Sequence, residues 1–244
     1  MAVPAVIPKS LFAGQATSAG ATIYTTPAST TAARLTALIV TNVDTNPHTF
    51  SVYTSAGAMT MNDAHALYKD VPIVAGATVA ILSPLALGFP TNGSQTGSIA
   101  IKADADAVLD VTLFGSEVDA TSLTVGRALP HQYFQGVLTA TPGVAVLYAN
   151  ASANFSGITM SLTFCNVDAS PHPVDIQVSF DGGSTYFKLR KGLSIPANDT
   201  LVVTDQFIIG PTGGTGLELL TAIDPGNTGF ITCTASVVQV NVAP

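Results

Sequence analysis

Tryptophan is absent from this chain, and charged residues are scarce. Of the 244 residues, only 9% are Asp, Glu, Lys or Arg, against roughly a quarter in an average soluble domain. Disordered chains combine few apolar residues with many charges, whereas 47% of this sequence is hydrophobic. The composition therefore argues against a disordered protein and predicts a surface covered by small neutral residues or by neighbouring protein.

Basic residues are especially few. Lys and Arg number 8 against 15 acids, which gives a formal net charge of −7. Nucleic-acid binding needs clustered cations to displace counterions from phosphates, and anionic membranes attract similar clusters. Lys188, Arg190 and Lys191 form the only basic group, which we interpret as a solvated strand end. We therefore expect neither nucleic acid nor a membrane as a partner.

Long hydrophobic runs and paired cysteine motifs are also missing. No run approaches the ~20 residues of a membrane-spanning helix, and the N-terminus lacks the basic start and apolar stretch of a signal peptide. Cys165 and Cys233 have no CxxC spacing, which argues against a zinc site. We interpret both as small buried hydrophobic residues; a disulfide between them is the alternative in an oxidising compartment.

An internal duplication organises what is present. Residues 21–54 align with residues 145–178 without a gap, and both copies carry Asn-Val-Asp-x-x-Pro-His with a Tyr at the same distance ahead of it. Further along, short slips in turn-like stretches align Asp104 with Asp224 and Val118 with Val238. Loops tolerate such length changes at little cost. The chain is thus predicted to contain two homologous domains.

The fold class follows from short runs of Val, Ile, Thr, Phe and Leu bounded by Gly, Pro, Asn and Asp, which are typical of β-strands. Residues 158–165 alternate between apolar and polar, the pattern of a sandwich strand. Residues 34–41 are apolar on both faces, so we expect another subunit or the other domain to cover the outer one. We predict an all-β protein with two tandem homologous β-sandwich domains of jelly-roll or immunoglobulin-like type.

Four segments are predicted. Residues 1–12 form an extended N-terminal arm, residues 13–119 the first β-sandwich, residues 120–130 a linker and residues 131–244 the second β-sandwich. A free arm is normally polar, whereas this one is apolar, so we expect it to lie on a partner. The predicted interface residues are Val3, Val6, Ile7, Leu11 and Phe12.

The repeated Asn-Val-Asp-x-x-Pro-His string is the one candidate site. Asp44 with His48, and Asp168 with His172, would be metal ligands at four-residue spacing, but the intervening prolines favour a turn. A metal site also needs three or four ligands. We therefore predict structural turns and no metal or cofactor. The predicted turn residues are Asn42, Asp44, Pro47, His48, Asn166, Asp168, Pro171 and His172.

Two weaker patterns carry no activity. Residues 179–186 resemble the Asp-box hairpin of sialidase propellers, which is a structural hairpin with Asp-Gly in the turn. Asp104-Ala-Asp106 supplies too few oxygens for a calcium loop. No arrangement of paired carboxylates, Ser-His-Asp or Cys-His is recognisable. The sequence predicts no catalytic residues and no enzyme.

Residues 21–118 resemble a domain of tailed-bacteriophage virion structural proteins. The resemblance rests on Tyr-Thr-Thr-Pro-Ala from Tyr24, Thr-Asn-Val-Asp from Thr41, Pro-Ile-Val-Ala-Gly from Pro72 and Val-Thr-Leu-Phe-Gly-Ser-Glu-Val from Val111. Residues 145–240 match more loosely. These motifs are turn and strand signals, so the resemblance implies a fold and a virion context rather than an activity.

The resemblance implies a virion protein assembled in the host cytoplasm. The leading hypothesis is a capsid decoration or cement protein that stabilises the phage head. As partners we expect other copies of itself, a trimer before other states, and the major capsid protein. A neck, tail or head-fibre component is one alternative. A carbohydrate-binding module for the host surface is another, weakened by the lack of tryptophan as a sugar platform.

Overall fold

The protein consists of two antiparallel β-sandwiches in tandem, each built from two sheets. The structure is a computed structural model, and it describes residues 7–27, 31–81, 84–88, 96–119, 128–141, 145–150, 155–210, 218–226 and 228–241. The prediction of an all-β protein with two sandwich units is confirmed.

The first sandwich is formed by the N-terminal half. One sheet has the strand order β1 (Ile7–Gln15), β9 (Leu109–Asp119), β3 (Thr31–Asn42) and β6 (Thr78–Ile81), and β7 (Leu85–Leu87) also pairs with β3. The other sheet has the order β2 (Ala21–Thr25), β8 (Gly97–Ala103), β4 (His48–Ala56) and β5 (Ala66–Ile73).

The second sandwich repeats this arrangement. One sheet has the order β10 (Ala128–Val137), β18 (Ile231–Asn241), β12 (Phe155–Asn166) and β15 (Thr200–Val203), and β16 (Ile208–Ile209) also pairs with β12. The other sheet has the order β11 (Val146–Asn150), β17 (Glu218–Ile223), β13 (His172–Ser179) and β14 (Phe187–Ile195).

The strand order distinguishes between the two topologies that the sequence left open. In each sandwich the first strand pairs with the last one, β1 with β9 and β10 with β18. An immunoglobulin domain instead places its first strand beside its second in the sheet. When β6 is taken together with β7, and β15 with β16, each sandwich has the strand order of an eight-stranded jelly roll.

Irregular pairing recurs at matching positions in the two copies. The register of β3 with β9 shifts between Leu35 and Ala37, and the register of β12 with β18 shifts between Thr159 and Ser161, their counterparts. Such a bulge changes which face a side chain points to, and it lets Leu35 and Leu38 enter the same core despite their odd spacing. The bulge therefore explains in part why β3 carries apolar residues at both odd and even positions.

The pairing also corrects one end of the sequence alignment. Val118 pairs with Ala32, and Val240 pairs with Ser156, which is the counterpart of Ala32. The counterpart of Val118 is therefore Val240, and the predicted match to Val238 is wrong. The alignment placed a second two-residue slip ahead of the last strand, where the sheet register shows none.

The prediction that residues 1–12 form an extended arm lying on a partner is wrong for residues 7–12. These residues begin β1, which pairs along β9, and Leu11 and Phe12 pack against the first core. A sheet edge presents unpaired backbone groups, so a neighbouring apolar segment gains hydrogen bonds by joining it. Val3 and Val6 lie outside the described residues, as does the side chain of Ile7.

The predicted linker is also too long. Strand β10 begins at Ala128 and pairs with β18 from its first residue, so residues 128–130 belong to the second sandwich. Leu129 is fully buried and contacts Ala32 and Val118 of the first sandwich. The boundary was missed because Pro130 was taken for a linker residue, whereas proline is tolerated on an edge strand such as β10.

Each sandwich has its own apolar core between its sheets. The first core contains Leu38, Phe50 and Ile101, and the second contains Tyr148, Phe164 and Ile176. The described residues include a single 3-10 turn, Asp63–His65, and none of their helices is long and apolar enough to cross a membrane.

Candidate functional sites

The first copy of the repeated string forms the turn between β3 and β4. Asn42 is buried, and its Nδ2 donates hydrogen bonds to the carbonyl oxygens of Asn46 at 2.8 Å and Ile73 at 3.2 Å. Its Oδ1 accepts a hydrogen bond from the backbone nitrogen of Asp44 at 2.9 Å. Asparagine side chains that replace backbone partners in this way stabilise turns. Asn42 thus holds the turn against the end of β5.

His48 is the first residue of β4 and lies between two carboxylates. Its Nε2 is 2.9 Å from Asp44 Oδ2, and its Nδ1 is 2.9 Å from Asp104 Oδ1. Carboxylates accept hydrogen bonds, so the imidazole donates to both of them only in its protonated, positively charged form. The hydrogen bond from His48 lowers the pKa of Asp44 to about 2, and the bond to Asp44 raises the pKa of His48 above its ordinary value.

The second copy keeps the turn. Asn166 Nδ2 donates to the carbonyl oxygens of Ser170 at 2.7 Å and Ile195 at 3.2 Å, and His172 Nε2 is 2.8 Å from Asp168 Oδ2. The hydrogen bond from His172 lowers the pKa of Asp168. The predicted turn residues of both copies therefore come together in equivalent hydrogen-bonded turns.

The two copies differ on the other side of the histidine. Asp224 does not match Asp104, because Lys102 pairs with Ser51 whereas Ile223 pairs with the counterpart of Ser51. Asp224 instead accepts hydrogen bonds within its own turn. The ring of His172 lies 5.6 Å from the ring of Phe230.

Metal binding finds no support in the geometry. Within the described ranges, no three His, Cys, Asp or Glu side chains are grouped as metal ligands would be. Asp104 accepts hydrogen bonds from His48 and from the backbone nitrogen of Thr49, and Asp106 accepts one from the backbone nitrogen of Ser18. The oxygens considered for calcium are thus engaged in loop contacts.

The hairpin between β13 and β14 contains the Asp-box-like segment. Asp181 Oδ1 accepts hydrogen bonds from the backbone nitrogens of Ser184 at 3.0 Å and Thr185 at 2.9 Å. A hydrogen bond from the hydroxyl of Ser179, together with these backbone bonds, lowers the pKa of Asp181 to about 2. The hairpin presents Phe180 and Phe187, each more than half exposed, with ring centroids 6.3 Å apart.

The two cysteines are free thiols on opposite faces of one sheet. Cys233 belongs to the second core. Cys165 packs with Tyr53, Ala66 and Ala100 of the first sandwich. Burial raises the pKa of Cys165 to about 11 and also raises the pKa of Cys233, as expected of inert buried thiols.

The two sandwiches also contact each other directly. The outward face of the sheet β10-β18-β12 lies against β5, β7 and the 3-10 turn of the first sandwich. This face is mainly polar, and its Ser and Thr side chains are buried: Ser161, Thr163, Thr232, Thr234 and Ser236. The alternation in β12 is real, but its polar face is covered by protein.

Hydroxyl groups of this face bond the backbone of the first sandwich. Thr232 Oγ1 donates to the carbonyl oxygen of Ala66 at 2.7 Å, and Ser161 Oγ donates to that of Pro84 at 2.6 Å. The backbone nitrogen of Ala86 donates to Ser236 Oγ at 3.0 Å. Strands β5 and β7 lie at the side of the first sandwich, where backbone groups need partners. The second sandwich supplies them without apolar side chains.

The described residues of the second sandwich leave the equivalent face of the first sandwich partly exposed. Ala13, Ile39, Thr112 and Phe114 occupy the positions that Gln135, Thr163, Thr234 and Ser236 hold in the second sheet. The first sandwich covers the four residues of the second sheet. Of the four residues on the first sandwich, Phe114 is 37% exposed and Ile39 is half-buried. Among the residues that the structure describes, the second sandwich thus covers the outer face of β3 at Ala32, beside Leu129.

Comparisons with known proteins identify no family. No protein-family model matches this chain, and neither does any curated protein. Among solved structures it is similar to the CBM22-1-CBM22-2 tandem domain of Paenibacillus barcinonensis Xyn10C, with 9% identity, a TM-score of 0.31 and coverage of 99% of this chain and 92% of that one.

Two viral structures align at the same level. For infectious bursal disease virus, Gt strain, the identity is 11% and the TM-score 0.31, over 98% of this chain and 75% of that one. For an archaeal virus with a triple jelly-roll fold and turret assembly, the identity is 11% and the TM-score 0.29, over 96% of this chain and 59% of that one. At these TM-scores the likenesses assign neither a family nor a function.

Proposed function

We propose that this protein is a non-enzymatic structural subunit of a virion, and specifically a capsid decoration or cement protein that stabilises a phage head. It would act as a small homo-oligomer, a trimer before other states, on a shell of the major capsid protein. The resemblance of residues 21–118 to virion domains of tailed bacteriophages supports the setting. A neck, tail or head-fibre component is the alternative within that setting.

The observation that carries the proposal is the partly exposed outer face of the first sandwich. It is formed by Ala13, Ile39, Thr112 and Phe114, and the same face of the second sandwich is buried against protein. A jelly roll in this chain therefore already uses this face as a protein-binding surface. Because only 9% of residues are charged, little desolvation opposes a further contact. Jelly rolls recur in shell proteins and in lectins, so the face rather than the fold supports the assignment.

The N-terminal segment has a narrower role in this proposal than the sequence suggested. Leu11 and Phe12 pack against their own core, which leaves Val3 and Val6 as the residues proposed to reach a partner. They precede Ile7, where β1 begins at the edge of the same sheet. Residues 1–6 would add apolar area beside the outer face, at roughly 25 cal/mol per Å².

Co-sedimentation with purified shells tests the proposal. The intact protein is mixed with capsid shells from the phage that encodes it, with isolated tails from that phage in parallel. We expect saturable binding to shells and a higher temperature of shell disruption when the protein is bound. Binding to tails alone would support the tail alternative. Absence of binding to either at tens of micromolar protein would contradict a virion role.

A second candidate function rests on the exposed pair of Phe180 and Phe187. Aromatic rings on a surface stack against sugars, and these two exposed rings are neighbours in the same hairpin. This arrangement favours a module that binds host glycans. Retention on polysaccharide isolated from the host envelope, lost in Phe180→Ala and Phe187→Ala but kept in Phe114→Ala, would support it. Equal behaviour of all three variants would contradict it.

A further inference from the structure

The duplication assigns counterparts to both halves of the contact between the sandwiches. Ala86 pairs with Arg34, and Ile208 pairs with Ile158, the counterpart of Arg34, so Ile208 occupies in the second sandwich the position of Ala86 in the first. On the opposite side of the contact, Ser236 pairs with Ser161.

Phe114 completes this correspondence. It pairs with Ala37, the counterpart of Ser161, and therefore takes the place of Ser236. Within the chain, Ala86 bonds Ser236 across the interface. The corresponding pair, Ile208 of the second sandwich and Phe114 of the first, would meet only between two copies of the chain.

Exposure distinguishes the two pairs. Ala86 and Ser236 are both fully buried at 0% exposure, whereas Ile208 is 68% exposed and Phe114 is 37% exposed. The two exposed side chains lie on the two surfaces that would face each other between copies, where their contact would bury apolar area. The contact within the chain is thus made by two small buried residues, Ala86 and Ser236. The corresponding positions, Ile208 and Phe114, carry large apolar side chains that no contact within the described chain buries.

Other exposed apolar residues follow the same rule. Val167 packs into the cluster between the sandwiches, and Val43, its counterpart in the repeated string, is 52% exposed. The 3-10 turn that ends at His65 contacts β10 and β18. The sheet registers align Ala66 with Lys188, so Phe187 is the counterpart of His65, and it is 56% exposed. Exposed apolar residues thus lie on both counterpart surfaces.

Charge is complementary at another counterpart pair. Within the chain, Thr232 donates a hydrogen bond to the carbonyl oxygen of Ala66. The sheet registers place Asp110 at the position of Thr232 and Lys188 at the position of Ala66. Lys188 has three donors, so it can keep its bond to Asp175 at 2.6 Å while it meets Asp110 of another copy.

We propose that a second copy of this chain docks head to tail by repeating the internal contact. The second sandwich of one copy, through Ile208 and Lys188, binds the outer face of the first sandwich of the next, through Phe114, Ile39 and Asp110. Such a heterologous contact closes into a ring when its rotation divides a full turn and extends into a filament otherwise. A ring of three copies is the trimer of the proposed function, on which this inference rests.

Disulfide trapping between copies tests the pairing directly. Two variants are made separately, Phe114→Cys and Ile208→Cys, and mixed under mild oxidation; the native Cys165 and Cys233 are buried and do not compete. We expect a covalent dimer in the mixture, at least tenfold more than in either variant alone. The matched control is Val74→Cys mixed with Phe114→Cys, because Val74 is similarly exposed at 64% but lies outside the counterpart surfaces.

Two results of the trapping experiment would overturn the inference. One is a mixture that gives no more dimer than the Val74 control. The other is either variant cross-linking alone as well as the mixture does, because this would mean that a surface pairs with itself.

Charged substitutions give an independent measurement. Phe114→Asp and Ile208→Asp should each weaken self-association at least tenfold in sedimentation velocity, with unchanged thermal unfolding, whereas Val74→Asp should associate like the wild type. Wild-type-like association of both variants, or a wild type that stays monomeric at ~100 µM, contradicts the inference. Shell binding is scored on the same samples, so wild-type protein that binds shells without self-associating would overturn the head-to-tail contact and leave the proposed function standing.

Discussion

Thr232 of the second sandwich donates a hydrogen bond to the carbonyl oxygen of Ala66 in the first, at 2.7 Å. Both residues are buried, and Ala66 belongs to β5, the edge strand of its sheet. A jelly-roll edge that would otherwise need water or another chain is thus completed by a threonine. Beside the apolar contacts of Leu129 and Cys165, hydroxyl groups of the second sandwich thus satisfy backbone groups at the edge of the first.

Replacement of this hydroxyl is expected to destabilise the protein. Thr232→Val keeps the shape of the side chain but leaves the Ala66 carbonyl without its donor. A buried acceptor without a partner costs about 1–3 kcal/mol, and we expect a loss in this range in urea unfolding. Thr232→Ser should restore most of it, and Thr36→Val, at an exposed position of β3, should change stability by less than about 0.5 kcal/mol. Equal effects of the two valine variants would argue against a role for the hydroxyl.

The buried asparagine of the repeated string is a second residue that we expect to contribute strongly to stability. Asn166 is fully buried, donates to the carbonyl oxygens of Ser170 and Ile195, and accepts from the backbone nitrogen of Asp168. Asn166→Ala removes all these bonds at once. We expect a loss of about 2–3 kcal/mol in the free energy of unfolding.

Two further variants check this expectation. Asn42→Ala should lose a similar amount, because the first copy makes the same type of bonds. Asn46→Ala, at an exposed position of the same turn, is the control. A loss at Asn166 no larger than at Asn46 would mean that the backbone alone holds the turn.

The sequence predicted the β class, the duplication and the repeated turn, because these depend on local signals. Prolines, Asx residues and alternating apolar positions specify turns and strands through contacts a few residues apart. What covers the polar face of β12 could not be predicted from such local signals. Its alternation predicts a polar face equally well whether water or another domain covers it, and Ser161 bonds Pro84, which is far away in the chain.

Strand β1 was missed for a related reason. Residues 7–15 contain Pro8 and Gly14 and lack regular alternation, so only the available edge of β9 makes them a strand. The bulge at Leu11, between Ser10 and Phe12, breaks the period further. Pairing partners distant in sequence therefore decided this element, and no local signal identified it.

The Asp44–His48 pair predicts a pH dependence of stability. The raised pKa of His48 means that its contribution is present below about 6.5 and is lost as pH rises through the folded pKa. The pKa of Asp44, lowered to about 2, means that its contribution is present above about 3.9 and is lost as pH falls towards 2. The pair therefore stabilises the protein most between about pH 4 and 6.5.

Thermal unfolding across pH measures this effect. The difference in Tm between the wild type and His48→Gln should be largest between about pH 4 and 6.5 and smaller at pH 8. His65→Gln is the control, because burial lowers the pKa of His65 and its removal should not reduce Tm in acid. A difference for His48→Gln that is constant from pH 4 to pH 8 would exclude a charged histidine at this position.

Truncation distinguishes the strand from the segment that precedes it. Deletion of residues 1–15 removes β1, exposes the edge of β9 and takes Leu11 and Phe12 out of the first core. Ala16, which is fully buried, would become the new terminus. We expect the first sandwich to lose cooperative unfolding and its slow amide exchange, while β12, β13 and β18 of the second sandwich remain protected.

Deletion of residues 1–6 is the control. It leaves every described strand in place, so Tm should be unchanged and any loss should be confined to assembly. If the longer deletion also left Tm and amide protection of β3 and β9 unchanged, β1 would be a dispensable edge and the original interpretation of the segment as an arm would be restored.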